Sequence, residues 1–157
     1  MDAKGVPWTK NFVPWKFKTD SPVSATASVI KFAFWDNQPD YDVEWRYITT
    51  SNSYQRFNGA TPAVDFSSDE QLMAKNVVIE FAKETGPLDE HKHLYYEVVG
   101  TGKMLLFQDG IVITGTWSKA SPFARTKFFD AKGKEVQFNP GQIWVEIVPA
   151  GNTIEYN

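Results

Sequence analysis

The chain has 157 residues, a length typical of a single domain. Apolar residues make up 42% of it and charged residues 22%, which is enough apolar surface for a hydrophobic core and excludes wholesale disorder. The formal net charge is −3 with both signs interspersed, so the basic stripe of a nucleic-acid-binding surface is missing. The chain has no cysteine, which excludes disulfides and thiolate metal sites, and no apolar run reaches the roughly 18 residues of a membrane span.

Residues 1–24 combine three prolines with four aromatic side chains: Pro7, Pro14, Pro22, Trp8, Phe12, Trp15 and Phe17. Prolines at this spacing prevent a helix and interrupt a β-ladder, so the segment is predicted to be an extended N-terminal arm or linker. Its aromatic residues either lie against the body of the domain or pack on a neighbouring domain. Residues 25–157 are predicted to form one β-rich domain.

The first half of that domain alternates apolar and polar residues with a period of two. This pattern predicts strands over residues 28–35, 41–48, 54–57 and 76–82, the second and third joined as a hairpin by a polar turn. Between the predicted strands 54–57 and 76–82, residues 68–71 have the spacing of a capping box, which allows one helical turn. Residues 83–92 are expected to be a polar loop.

The second half is punctuated by glycine turns. Asp109-Gly110 separates two alternating segments and predicts a tight hairpin, and Gly100-Thr101-Gly102 suggests a flexible corner or bulge. Further turns are expected at residues 130–133 and 139–141. Eight or nine short strands without a helical period are typical of an all-β fold, either an antiparallel sandwich or an open barrel.

His91 and His93 are the first candidates for chemistry, because on an extended backbone both imidazoles point to the same side and can share a metal with a nearby carboxylate. No third ligand segment stands out, and a solvated loop entering a strand explains the same residues. We therefore expect no metal and no cofactor.

Asp40, Asp42 and Glu44 face one way if they lie on a strand, a pattern that superficially suits acid–base work on a glycoside. Arg46 continues the same row, so a solvated face of alternating charges explains it equally. The chain also lacks the Gly-x-Ser-x-Gly motif of serine hydrolases. No catalytic residue is predicted.

Tryptophans on strands usually lie in the core of a sandwich, and the alternative is an aromatic platform for sugar rings. Trp117 is predicted to be the exception, because it closes a strand and enters a loop, where its indole can converge with Lys119 and Arg125. Arg56, beside Tyr54 on a short strand, is a further cation that can bind an anionic or sugar group.

Several of these motifs occur in an order that resembles the C-terminal domain of the YerB-like lipoproteins, a bacterial family with a domain of unknown function. The motifs are Val43-x-Trp45-x-Tyr47, Tyr54-x-Arg56, Asp65, Asn76-Val77-Val78-Ile79, Gly100-x-Gly102-Lys103, Asp109-Gly110, Gly115-Thr116-Trp117-x-Lys119, Phe128-x-Asp130-x-x-Gly133 and Pro140-Gly141-Gln142-x-Trp144. The resemblance covers about residues 17–149.

The resemblance implies an extracytoplasmic protein anchored as a lipoprotein, in which this chain is a second domain and the membrane anchor lies outside it. It supplies no activity to carry over. We expect a non-enzymatic cell-envelope module that binds a protein, cell-wall or glycan partner or packs on its own N-terminal domain. A cell-envelope hydrolase or a carbohydrate-binding module is the alternative. Among the matching residues, Arg56, Asp65, Trp117 and Lys119 are expected at a surface site, although Asp65 can equally cap a turn.

Overall fold

The computed structural model describes residues 13–35 and 37–157. In this part of the chain the regular structure consists of β-strands and one short 3₁₀ helix, Pro39–Tyr41, which confirms the predicted all-β class. Within the same residues, no helix is long and apolar enough to cross a membrane.

The described residues contain fourteen strands. In chain order they are β1 Lys16–Phe17, β2 Val29–Phe32, β3 Val43–Ile48, β4 Ser53–Asn58, β5 Thr61–Pro62, β6 Met73–Ala74, β7 Asn76–Thr85, β8 Tyr95–Glu97, β9 Gly100–Gln108, β10 Ile111–Lys119, β11 Lys127–Asp130, β12 Gln137–Phe138, β13 Ile143–Pro149 and β14 Glu155–Tyr156. Five of them are only two residues long, so the strands of three or more residues match the predicted number.

The longer strands form two sheets packed as an open sandwich rather than a closed barrel. Sheet I has the order β11-β10-β9-β7-β13, with β8 paired to the end of β7. Sheet II has the order β14-β2-β3-β4-β5, with β6 also paired to β4. Most neighbouring strands are antiparallel, as predicted, whereas β13 lies parallel to β7 and β1 parallel to β12.

The inner strand β7 has an almost continuous apolar sequence because both of its faces are covered. Val77 and Ile79 pack into the core between the two sheets, which is built around Trp45, Tyr54 and Phe107. Val78 points to the opposite face of sheet I, into a second core. Period-two alternation therefore separates two apolar environments here, rather than core from solvent.

The second core is covered in part by the N-terminal arm. Trp15 packs against Phe128 and Phe138, with ring centroids 6.0 and 5.4 Å apart, and its indole N–H donates to the carbonyl oxygen of Thr126. Phe17 is about half exposed. Trp15 thus lies against the body of the domain, whereas Trp8 and Phe12 lie outside the described residues.

Asp109 anchors the arm to the end of the sandwich. Its backbone φ of 57° and the φ of 79° at Gly110 form the tight hairpin turn predicted between β9 and β10. The buried carboxylate accepts hydrogen bonds from Asn52 and Asn139, at 2.8 and 2.7 Å, and pairs with the Lys18 ammonium at 2.5 Å. This group, which we call the Asp109 network, joins the arm to three turns that are distant in sequence.

Two local predictions are wrong. Gly100-Thr101-Gly102 forms the start of β9 rather than a corner, with Gly102 paired opposite Trp117 on β10. The polar loop predicted from residue 83 begins later, because β7 continues to Thr85 and pairs with β8.

Candidate functional site

The most distinctive polar group in the interior is an ion pair between the two sheets. Arg56 on β4 donates from Nε to Oε1 of Glu146 on β13, at 3.3 Å, and the two side chains are only 12% and 7% exposed. The indole N–H of Trp45 donates to the same carboxylate oxygen, also at 3.3 Å. The guanidinium carbon lies 5.1 Å from the ring centroid of Trp144 and 5.8 Å from that of Trp45, within cation–π range. We call these four residues the Arg56–Glu146 cluster.

Burial raises the pKa of the Glu146 carboxyl, and the positive charge and hydrogen bonds of Arg56, with bonds from Trp45 and Trp144, offset only part of that rise. Arg56 therefore favours the ionised form of Glu146, against the effect of burial. Removing two charges from water costs free energy that can exceed their mutual attraction. A buried ion pair is therefore weak evidence for a purely stabilising role. Its position beside a cavity makes it a candidate for function.

That cavity, which we call the aromatic cavity, has a volume of about 510 Å³. Its walls are mostly apolar and aromatic, and the residues that line it are Phe34, Trp35, Asp40, Tyr41, Val43, Arg56, Asn58, Tyr96 and Ile147. Volume and composition fit a small-molecule site, where apolar walls surround a few polar groups.

Trp35 and Tyr41 are the exposed aromatic residues of this wall. They lie in the connection between β2 and β3, and their rings are nearly perpendicular, at 83° and 5.3 Å between centroids. Trp35 is 43% exposed and Tyr41 is 56% exposed. Pro39 begins the 3₁₀ helix that ends at Tyr41, a position where its fixed φ and its missing N–H are tolerated.

The polar groups of the aromatic cavity can both donate and accept. Arg56 also donates from Nη1 to Oδ1 of Asn58, whose side chain lines the cavity. A guanidinium carries five N–H groups. Because the described residues include two side-chain acceptors for it, further donors are available to a molecule in the cavity.

A second, larger space of about 1170 Å³, which we call the polar groove, adjoins the aromatic cavity. The two share four lining residues, Phe34, Trp35, Asp40 and Val43. The groove also contains Asp42, Glu44 and residues of positive charge.

The row of carboxylates is an ion-paired surface in the structure. Glu44 binds Arg46 and lies 3.4 Å from the Lys31 ammonium. Partial burial raises the pKa of Glu44, but Arg46 and Lys31 outweigh that effect and leave it below its usual value. Asp40 lies in the 3₁₀ helix rather than on a strand, so the three carboxylates do not form the straight row that the sequence suggested.

Trp117 was predicted to be exposed, and this is wrong. Its side chain is only 2% exposed, and its indole N–H donates to the carbonyl oxygen of Phe81 at 2.8 Å. The absence of a side chain at Gly102, directly opposite on β9, leaves room for the indole. Trp117 is thus a residue of the second core, and it cannot serve as a surface platform.

The two cations expected near Trp117 have separate partners. Arg125 donates from Nη2 to Oε1 of Glu135 at 2.7 Å, and Lys16 lies 3.1 Å from the other oxygen of that carboxylate. Lys119 ends β10 and acts on the buried Glu80, whose pKa is raised by burial and lowered in part by the lysine charge. These residues form no common site with the indole.

Asp65 caps a turn, the alternative that the sequence left open. Its Oδ1 accepts the backbone N–H groups of Ser67 and Ser68, at 2.9 and 3.0 Å, and these bonds lower its pKa. Residues 68–71, which have the capping-box spacing, form no helix, and the Ser68 hydroxyl oxygen accepts the backbone N–H of Glu70 at 3.3 Å. Of the five residues expected at a site, only Arg56 lines the aromatic cavity.

The two histidines lie on an exposed loop. Nδ1 of His93 is 2.6 Å from Oδ2 of Asp89, whose other oxygen accepts the backbone N–H groups of His91 and His93. Across residues 13–35 and 37–157, no group of three or more His, Cys, Asp and Glu side chains is arranged to hold a metal ion.

Glu146 was missed by the sequence reasoning, although β13 carries a signal for it. Glu146 occupies the same alternating positions as Trp144 and Val148, where an apolar residue is expected. A carboxylate at such a position requires a buried partner. That partner, Arg56, is 90 residues away in the sequence.

Residues 30–145 match the family model described as "Protein of unknown function (DUF3048) C-terminal domain", and the chain belongs to this family. The match includes Trp45, Arg56 and Trp144.

One relative is the Bacillus subtilis (strain 168) protein named "Putative lipoprotein YerB", which is 25% identical over 150 residues, 94% of this chain and 44% of that protein. The crystal structure of YerB from Bacillus subtilis has the same fold, with a TM-score of 0.73 and 24% identity over 90% of this chain and 47% of that one. The resemblance drawn from the ordered motifs is thus confirmed. The chain spans less than half the length of these relatives.

Proposed function

We propose that this domain is a non-enzymatic binding module of the cell envelope and that its ligand occupies the aromatic cavity beside Arg56. The proposed location is extracytoplasmic, in a longer lipoprotein anchored to the membrane outside this chain. This location is supported by the name of the related protein, "Putative lipoprotein YerB", since a lipoprotein is held at a membrane by its lipid.

The observation that carries the proposal is the pair of exposed aromatic rings, Trp35 and Tyr41, beside the buried Arg56–Glu146 cluster. Large aromatic side chains contribute most when a ligand removes them from water, and the polar edge of each ring adds direction to the contact. A few fixed polar groups among apolar walls are what gives a site its specificity. The partner proposed for the cavity is a component of the envelope, in the cell wall or at the membrane.

A hydrolase built on Asp42 and Glu44 is less well supported. A glycosidase needs one carboxyl that stays protonated near neutral pH to donate to the leaving group. The ion pairs of Glu44 lower its pKa, which favours the opposite state.

Sedimentation with insoluble bacterial cell-wall sacculi and with membrane vesicles tests the proposal. We expect one of these fractions to retain the domain and the double substitution W35A/Y41A to reduce retention strongly. The matched control is F66A/F123A, because Phe66 and Phe123 are fully exposed aromatics that do not line the cavity. The proposal is contradicted if neither fraction retains the domain, or if W35A/Y41A and F66A/F123A are retained equally. If the domain releases soluble fragments from the sacculi, and D42N or E44Q abolishes this release, the domain is an enzyme and the non-enzymatic part of the proposal is overturned.

A further inference from the structure

We propose that the aromatic cavity and the polar groove together bind a neutral oligosaccharide, with one hexopyranose ring stacked on Trp35 and Tyr41. The proposal rests on the binding function proposed above and names the ligand class of that same site.

The aromatic walls fit the apolar side of a sugar ring. A pyranose has a face of C–H groups that packs against the π-face of an aromatic side chain, whereas its hydroxyl groups point outward around the edge. Because the rings of Trp35 and Tyr41 are close to perpendicular, they present two surfaces that meet at a corner. A rigid ring can contact one side chain with its face and the other with its edge.

The polar groups around this corner match hydroxyl groups, each of which donates and accepts. Arg56 supplies donors and Asp40 supplies an acceptor, whereas Asn58, whose oxygen accepts from Arg56, adds the donors of its amide group. A ligand that only accepts, or only donates, would leave one of these sets without a partner.

The balance of charge favours a neutral ligand. Glu146 compensates the positive charge of Arg56, and Asp40 adds a negative charge to the wall, so the lining has no positive excess to hold a polyanion.

The polar groove indicates a ligand longer than one ring. It continues from the aromatic cavity through shared residues that include Trp35 and Asp40, and it adds charged groups of both signs, such as Lys31 and Glu44. The cavity alone, at about 510 Å³, is within the usual range for a small-molecule site. The groove of about 1170 Å³ beside it leaves room for further sugar units.

Isothermal titration calorimetry with defined tetrasaccharides tests the inference. The probes are cellotetraose, chitotetraose and maltotetraose as neutral ligands, with tetragalacturonic acid as the anionic comparison. We expect at least one neutral probe to bind with a Kd below about 1 mM, and the acid to bind more weakly. W35A should weaken binding roughly tenfold and W35Y should restore most of it, because stacking needs an aromatic face. F66A should bind as the wild type does, and unfolding curves verify that every variant is folded.

The outcomes separate this inference from the proposed function. If sacculi or vesicles retain the domain through Trp35 and Tyr41 while none of the neutral probes binds, the ligand is not a neutral glycan and only the inference fails. If the acid binds more tightly than every neutral probe, the charge argument is overturned. If neither envelope fractions nor sugars bind, both proposals fail.

Discussion

The substitution D109N removes one negative charge from the Asp109 network while keeping the hairpin turn, because asparagine tolerates the positive φ of this position. In the wild type the carboxylate binds two amide groups and the Lys18 ammonium. An asparagine side chain can still accept from the amides, but its own N–H₂ group is directed towards the ammonium. The variant therefore loses a hydrogen bond between charged groups in a partly buried site.

A net hydrogen bond to a charged group contributes about 1.5–3 kcal/mol, and Lys18 keeps its bond to Asn139 at 2.6 Å in the variant. We expect D109N to lower the free energy of unfolding by about 2–3 kcal/mol at pH 7. With a urea m-value of about 2 kcal/mol/M, the unfolding midpoint falls by roughly 1–1.5 M. Urea titration followed by tryptophan fluorescence measures this change.

The pH dependence provides a second readout. Burial raises the pKa of Asp109, but hydrogen bonds from Lys18, Asn52, Asn139 and the Ser21 backbone outweigh it and hold the pKa below its usual value. An acid with a lowered folded-state pKa stabilises the protein above its unfolded pKa of about 3.9 and loses this contribution as the pH falls through the folded value. The difference between wild type and D109N should therefore be constant from pH 7 to 5 and shrink in more acidic solution.

The matched control is D130N, in another turn. Oδ1 of Asp130 accepts the backbone N–H groups of Lys132 and Lys134, both at 2.9 Å, and the described residues provide no ion pair for it. Its replacement should cost no more than about 1 kcal/mol. A loss below about 0.5 kcal/mol for D109N at pH 7, or a loss that persists undiminished in acid, would refute the reasoning.

Two further predictions concern the interior. R56M and E146L should each destabilise the protein by about 3–5 kcal/mol, because each leaves one member of the buried pair without its partner. The double variant should lose at least about 1 kcal/mol less than the sum of the two single losses, as a double-mutant cycle in urea measures. Additive losses would mean that the pair is not coupled. G102A should cost about 1–3 kcal/mol, because its Cβ would lie 2.6 Å from the carbonyl oxygen of Phe81. G151A, where the added Cβ meets nothing within 4 Å, is the control, and equal unfolding midpoints for both variants would contradict the packing described.

The hairpins were predictable because their signals are local. Asp109-Gly110 between two alternating segments specifies both the turn and the pairing of β9 with β10. That pairing places Trp117 opposite Gly102, so the burial of this indole could also have been derived from the register of the hairpin. The position of Trp117 near the end of β10 suggests exposure only if its neighbour on β9, Gly102, is left out of account.

The site was not predictable in the same way, because it depends on contacts between distant segments. Arg56 could be singled out as a cation beside aromatic residues, but its partner Glu146 is brought to it by the parallel pairing of β13 with β7. No turn joins these two strands directly, and period-two patterning is the same for parallel and antiparallel neighbours. The exposure of Trp35 and Tyr41 similarly depends on the conformation of the connection between β2 and β3, which the period-two pattern of the strands does not specify.

The central claim is that ligand binds at Trp35 and Tyr41, and the indole N–H signals of a ¹⁵N-labelled sample test it most directly. On titration with the envelope fragment that binds, the account predicts that the Trp35 indole signal shifts. The Trp117 signal should stay in place, because that indole is buried and bonded to the Phe81 carbonyl. A titration in which Trp35 is unmoved while signals elsewhere shift would contradict the account.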